Sequence, residues 1–506
     1  MSAGTLKKNV MANLAGSAWT SILALLCVPL YLKYLGIEAY GLIGFFGTIM
    51  AVFGIMDLGL GTTLNRGLAR LSVRHGSIGE QRDLLRTLEL VYWSVGIMIG
   101  LLTFALAGPV AARWIHPHFL SPASVASAVR RMGIVAALQF PFALYQAGLM
   151  GLQRQFLVNV ITISTTTLRT VGSILVLALI SPTVETFFTW QALITLIQTG
   201  VTVLLTWRVL ASRIAPKFRG LLLRQEGRFA AGVSANAIIG IFLTQSDKIL
   251  LTRIVPLAEF GYYMLAGTVA ATLWWIIGPI NAALFPRFTQ LIELGDDVRL
   301  RSLYHTACQV IAAVLLPIAV TLALFSRTIV FVWTQNAGAA ERSALLIALL
   351  VTGTCINGLT SVAGFVQAAA GWPQLLAYTN LACAIVLVPA ILLLGMRYGG
   401  PGAASVWVVL NCVHLFVAVP LMHRRLLRGE LWRWYGHDVL LPLTAVLFVG
   451  SVARVAMPHD LSRGAAFFYV AAAGGCMAAA AVAAAPRARA VIFQTLTPPR
   501  PAGDAG

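Results

Sequence analysis

The sequence predicts an all-α integral membrane protein of about fourteen transmembrane helices, arranged as two six-helix bundles related by an internal repeat plus a C-terminal helix pair. Three observations predict it. Of the 506 residues, 59% are hydrophobic and only 10% are charged, more apolar material than one soluble core uses. Apolar spans of about 20 residues recur along the whole length, which selects helices over the shorter, alternating strands of a barrel. Finally, PLYLKYLGIEAYGLIGF places Lys33, Tyr40 and Gly41 at 220 positions before Arg253, Phe260 and Gly261. Gln146, Gly151 and Asn159 match Gln367, Gly371 and Asn380 at nearly the same offset, so the segments read as a duplicated unit.

In chain order, helices are expected near 10–32, 39–64, 88–114, 127–152, 157–182 and 185–208, then 229–254, 259–285, 304–328, 343–370, 376–397 and 402–422, and last 438–457 and 464–484. The run over the first 32 residues has the lysines and apolar core of a signal peptide but no small-x-small cleavage site, so it reads as a retained first helix. The domains that follow are an N-lobe over 1–215, a basic connector over 216–228, a C-lobe over 229–424, the extra pair over 425–485, and a disordered tail over 486–506. Six helices per lobe is an even number, so the lobes enter from the same side and form parallel repeats about the membrane normal.

Loop charge orients the chain. Lys7, Lys8, the arginines from Arg66 to Arg86, the connector from Arg208 to Arg228, and Arg287, Arg299, Arg301, Arg424, Arg425 and Arg428 all fall in alternate connections. The opposite connections hold fewer than half as many basic residues, among them Lys33, Arg113, Arg253, Arg327 and Arg463, which places both termini in the cytoplasm. The formal charge of +19 therefore belongs to short loops, and no folded domain presents it to nucleic acid. Cys27, Cys308, Cys355, Cys383, Cys412 and Cys476 lie in or beside apolar segments without CxxC spacing and read as packing residues.

No GK dipeptide, nucleophile elbow or HExxH occurs, and His116 and His118 form an isolated HPH in a loop. The chain is expected to be a transporter and not an enzyme, with no cofactor and no metal. Charges inside spans are then the informative residues, because each costs about 2.5–3.5 kcal/mol at a helix centre and faces a cavity or a partner. Arg169 ends a stripe of Asn159, Thr162 and Thr166 at helical spacing. Such a stripe suits an anionic head group, since guanidinium holds phosphate oxygens bidentately, or else it marks an arginine locked to a carboxylate such as Asp57. Asn236, Gly240, Thr244 and Lys248 form a second stripe, with Gln245 beside it. Asp247 and Lys248 are adjacent and do not face each other on a helix. Either Lys248 looks into a cavity and Asp247 to a neighbouring helix, or both snorkel to the surface. Asn65 and Arg66 close the second span as further candidates, and Asp57 either neutralises a substrate-binding arginine or takes up a coupling cation, a proton or sodium.

PLYLKYLGIEAYGLIGF, DLGLGTTLNRGLAR, QSDKILL and FGYYMLAG, with GLQRQF after the fourth helix and YGGPGAA before the twelfth, resemble the polysaccharide biosynthesis and export proteins. These O-antigen and exopolysaccharide flippases belong to the multidrug, oligosaccharidyl-lipid and polysaccharide exporter superfamily. The resemblance covers helices one to twelve and places its motifs at Asp57–Gly61 and at Asp247 and Lys248. It implies two bundles in a V around a cationic cavity that moves a polyprenyl-pyrophosphate-linked oligosaccharide from the cytoplasmic to the periplasmic leaflet of a bacterial inner membrane. It further implies membrane lipid and other polysaccharide-assembly proteins as partners. Lipid II flippases of the superfamily also carry two extra helices, assigned to the lipid tail, and the stretch from Asp438 to Ala484 stands in that place here. The family's first-helix basic residues are missing between Lys8 and Lys33. The alternative is a multidrug or small-molecule antiporter of the same superfamily. A membrane glycosyltransferase would need catalytic loops that this sequence lacks.

Overall fold

The computed structural model describes the backbone of residues 3–372, 374–458 and 460–496, and side chains from 19–220, 238–372, 374–458 and 460–491. Among the described residues all regular structure is helical, and eleven helical stretches are long and apolar enough to cross a membrane. It is a multi-pass membrane protein. The chain forms two compact units, Met1–Gly261 and Tyr262–Gly506.

In the first unit, α1 (Ala3–Gly54) is kinked at Gly36, whose φ of 79° only glycine adopts readily, and this supplies the turn expected between the first two spans. The expected helix over 39–64 is not continuous. A short 3₁₀ turn, Ile55–Asp57, leads into Leu58 and Gly59 in left-handed backbone, and α2 (Leu60–Ser72) begins afresh. There follow α3 (Ile78–Pro109), a π-helical turn over Val110–Trp114, α4 (Pro122–Gly151), α5 (Gln155–Leu179), α6 (Val184–Val209) and α7 (Gly220–Ile254). The unit closes inside α8 (Leu257–Ala271). Helix α7, read from sequence as the start of the C-lobe, thus groups with the first unit. Its core joins Leu64 and Leu68 of α2 to Leu84, Leu88 and Tyr92 of α3 and Phe140 and Leu144 of α4.

Small residues set the closest helix approaches, as expected where lipid offers no hydrophobic drive to association. A Cβ at Gly41 would lie 2.9 Å from the Leu257 carbonyl oxygen, and one at Gly261 would lie 2.3 Å from that of Ile37. Ile37 and Leu257 are themselves 220 positions apart, so the contact is reciprocal.

The second unit continues with α9 (Trp274–Glu293), α10 (Asp297–Leu324), α11 (Ser326–Thr334), α12 (Ala337–Ala369) and α13 (Gln374–Val413). Gly399, at φ 62°, breaks α13 between the spans expected over 376–397 and 402–422. A π-helical turn over His414–Ala418 leads to α14 (Val419–Arg425). The extra pair comprises α15 (Leu431–Arg433), a π-helical stretch Trp434–Leu440, α16 (Leu441–Val455) and α17 (Arg463–Ala484). Of the stretch over 486–506 expected to be a disordered tail, Pro486–Leu496 form α18, whose Arg487 backbone N–H donates to Gln309 Oε1 at 2.9 Å, and 497–506 lie outside the described residues.

Loop contacts follow the alternation of charge. Glu38 accepts from the backbone N–H groups of His118, Phe119 and Leu120 at 2.7–2.9 Å, and Leu257 N–H donates to the His116 carbonyl at 3.0 Å. Three sparsely basic connections therefore meet at one end of the first unit. The HPH loop is a backbone cradle for a buried carboxylate. At the other end Arg82 donates to the Leu210 carbonyl and Arg219 pairs with Asp83, both at 2.7 Å. In the second unit Arg463 donates to the Val332 carbonyl at 2.8 Å, joining sparse loops, while Arg301 meets Glu430 at 3.4 Å, joining basic ones.

Candidate substrate site

All ten residues singled out from sequence fall in the first unit. Arg169 on α5 turns to α6, donating to the side-chain oxygen of Gln198 and, at 3.3 Å, to Thr195 Oγ1. Among the described residues it forms no ion pair, so Asp57 is not its partner. Along the same stripe, Arg169 Nε and Thr162 Oγ1 are buried without a hydrogen-bond partner, a costly state that a polar ligand would relieve. Asn159 and Thr166 are half-buried on that helix.

Asp57 instead accepts from the Tyr92 hydroxyl and from the Gly61 backbone N–H at 3.2 Å. It caps α2, where the exposed N–H groups of a helix start favour an anion. Gly61 makes room for this pair, since a Cβ there would lie 3.1 Å from Asp57 Oδ1. Asn65 is half-buried with its backbone against Gly151, and Arg66 is exposed.

The expectation that Asp247 and Lys248 cannot face each other is corrected. Lys248 Nζ lies 3.2 Å from Asp247 Oδ1 and also donates to the Thr244 carbonyl. Its four-carbon stem folds back along α7 and covers the angle between adjacent positions. The side chains are 22% and 18% exposed, so neither extends into solvent. Gln245 is half-buried nearby, and the side chain of Asn236 lies outside the described residues.

Two well-formed cavities lie in the second unit, where sequence reasoning placed no site. One, of about 320 Å³, is lined by Asn281 on α9, Asn357, Ser361 and Gln367 on α12, Asn380 on α13 and His414. Asn281 donates to Ser361 Oγ at 2.8 Å and Asn357 to Asn411 at 2.7 Å, while Asn281 Oδ1 and Gln367 Oε1 have no partner. The second, of about 870 Å³, is almost wholly apolar, between Leu316 and Val320 of α10, Ile356 and Leu359 of α12, and Tyr435 and Leu443 of the extra pair. The two stand back to back. Asn357 and Ser361 face the polar cavity from the helix that sends Ile356 and Leu359 into the apolar one. The turn after α13 divides likewise, with His414 and Ala418 on one side and Leu415 and Phe416 on the other. Gln367 and Asn380 carry a weak signal in the sequence, as repeat partners of Gln146 and Asn159.

Residues 34–336 match the family described as "Polysaccharide biosynthesis protein". The chain belongs to that family. No curated protein matches the sequence of this family member. Among solved structures, the chain is similar to a lipid II flippase, MurJ, in an inward closed conformation, with TM-score 0.70 at 12% identity over 96% of this chain and 99% of that one. An inward-facing multidrug resistance MATE transporter gives TM-score 0.63 at 15% identity, covering 84% and 96%. The MATE multidrug transporter DinF-BH gives 0.59 at 16%, covering 85% and 97%. At these identities the likeness shows the fold alone, one shared with these three transporters.

Proposed function

We propose that this polysaccharide biosynthesis protein flips a polyprenyl-pyrophosphate-linked oligosaccharide from the cytoplasmic to the periplasmic leaflet of the bacterial inner membrane, by exposing its site alternately to the two faces. The observation that carries this reading is the pair of cavities sharing one wall. Amides and hydroxyls of Asn281, Asn357, Ser361 and Gln367 match the alternating donors and acceptors of sugar hydroxyls, and the unpartnered amide oxygens supply acceptors at no exchange cost. Behind the wall, an apolar groove of about 870 Å³ accommodates a hydrocarbon chain. A ligand with a polar head and a long apolar tail fits both, and a compact drug needs only one. No acidic residue lines either cavity, which disfavours the cationic drugs of a multidrug antiporter.

We assign Arg169 and Lys248 to the pyrophosphate, with Asn159, Thr166, Asn236, Gln245, Asn65 and Arg66 as its neutral and basic surroundings, Asp247 as the charge partner of Lys248, and Asp57 as the ion-coupling carboxylate. A proton or sodium would bias the two states, since net movement requires ligands that bind them differently.

The test is reconstitution in vesicles with a fluorescent polyprenyl-pyrophosphate oligosaccharide, following its arrival in the far leaflet. Loss of one charge-assisted contact is worth about 1.5–3 kcal/mol, so Arg169→Ala is expected to slow transfer by at least tenfold with folding intact. Unchanged transfer in Arg169→Ala and Lys248→Ala would retain the flippase and remove these cations from its path. No transfer of any lipid-linked sugar, together with proton-driven movement of a soluble compound, would put the antiporter in its place.

A further inference from the structure

A third cavity, of about 530 Å³, lies within the first unit. Its walls are helical faces in register. Phe45, Ile49 and Phe53 of α1 repeat at four, opposite Leu102 and Leu106 of α3. Apart from Thr48 and Thr103, whose hydroxyls donate to carbonyls of their own helices, the lining is apolar until one end, where Arg113 and Arg253 stand beside Trp114. Arg253 donates one N–H to the Arg113 carbonyl, and its guanidinium stands 5.7 Å from the centre of the Trp114 ring. Trp114 in turn donates to Thr252 Oγ1 at 2.9 Å, which fixes the indole. No acidic residue lines the groove, and neither arginine forms an ion pair among the described residues.

The dimensions and the charge select the occupant. From Leu102 to Arg113 the groove follows about eleven residues of helix, roughly 16 Å at 1.5 Å per residue. One leaflet of a hydrocarbon core about 30 Å thick has nearly that depth. Tryptophan and arginine are the side chains that settle at the head-group level, so the charged end of the groove lies where lipid phosphates lie. Each guanidinium carries five N–H donors in a fork that fits phosphate, and Arg253 has committed one of them to the protein.

We propose that this groove is a binding site for an anionic glycerophospholipid, with one acyl chain between α1 and α3 and the phosphate at Arg113 and Arg253. It shares no lining residue with the site assigned to the flipped substrate. Because it bridges the π-helical end of α3 to α7, its lipid ties together the two helices whose ends carry Trp114 and Arg253.

The experiment uses the full chain, purified in detergent and stripped of lipid. Phosphatidylglycerol and phosphatidylethanolamine with identical acyl chains are titrated in, with bound lipid counted by native mass spectrometry and stability followed by thermal melting. The wild type is expected to bind phosphatidylglycerol in preference and to melt higher with it. A basic residue at a lipid surface contributes about fivefold in affinity, so Arg113→Gln with Arg253→Gln is expected to weaken phosphatidylglycerol binding roughly twentyfold and abolish the preference. Ile49→Trp, which fills the groove and leaves both arginines, is expected to lose the lipid as well. Equal binding of the two lipids, or undiminished phosphatidylglycerol binding in the double arginine variant, would overturn the proposal. Displacement of phosphatidylglycerol by a polyprenyl pyrophosphate would also overturn it, by giving the groove to the transported lipid.

Discussion

Removing the carboxylate of Asp438 is the sharpest test of how the extra helix pair is fastened to the second unit. Asp438 is fully buried in the π-helical stretch that precedes α16, and His305 on α10 is 1% exposed. His305 Nδ1 meets Asp438 Oδ2, its Nε2 lies 2.9 Å from Glu430 Oε2, and Gln309 Nε2 donates to Asp438 Oδ1 at 2.9 Å. Each ring nitrogen of His305 thus faces one carboxylate oxygen, from Asp438 on one side and Glu430 on the other. In Asp438→Leu, His305 and Gln309 each lose an acceptor in a dry site, and breaking a buried pair in this way costs about 3–5 kcal/mol. Asp438→Asn keeps the shape and one acceptor, and loses about 1.5–3 kcal/mol. If the pair acts as a unit, His305→Leu with Asp438→Leu costs less than the sum of the single variants by more than about 0.5 kcal/mol. Equilibrium unfolding in mixed micelles, followed by the fluorescence of Trp434 beside this cluster, measures all four corners of the cycle. Strict additivity would refute the reasoning, because the two side chains would then contribute independently.

Three other outcomes are expected. Burial pushes Glu430 up, but its hydrogen bond to His305 and the charges of His305, Arg433 and Arg301 outweigh this and hold it below its ordinary value of 4.5. Its contribution is therefore complete above pH 4.5 and lost as pH falls through the lower folded value, so acid melts of wild type are expected to approach those of Glu430→Gln as pH falls below 4.5 and to meet them only below the folded value. Glu38→Gln exchanges a carboxylate that accepts three backbone N–H groups for an amide that can satisfy fewer; a loss of about 2–3 kcal/mol is expected, with faster proteolysis of the loop at Phe119. Gly261→Ala pushes a methyl to 2.3 Å from a backbone oxygen and is expected to cost about 1–3 kcal/mol, more than Gly41→Ala, whereas Gly47→Ala, with nothing within 4 Å, should melt as wild type.

The helices are legible in the sequence because the bilayer enforces their length and apolarity, and the breaks at Gly36 and Gly399 fall where YLG and YGG interrupt apolar runs. The break at Asp57 is not legible. DLGLG reads as a small-residue packing face until Leu58 and Gly59 are seen in left-handed backbone, with the carboxylate turned to Gly61 and Tyr92. Arg169 stands out as a cation inside a span, but its neighbour, Gln198, lies 29 positions away on a face of α6 whose apolar sequence gives no preference. His305 and Asp438 are 133 positions apart, and nothing local to either distinguishes a buried triad from ordinary helix-end charges. The polar cavity escapes notice for the opposite reason. Asparagine, serine and glutamine are cheap enough in a membrane helix to look incidental singly, and only folding gathers Asn281, Asn357, Gln367 and Asn380 around one space.

The wall between the polar cavity and the apolar groove has a thermodynamic meaning of its own. Helix α12 and the turn at His414–Ala418 cannot shift toward one compartment without changing the volume of the other. If filling the groove alters affinity in the polar cavity by some factor, occupancy of the polar cavity must alter affinity in the groove by the same factor. Head and tail of one ligand would then report on each other through the partition, and a tail alone or a sugar alone would be an incomplete signal.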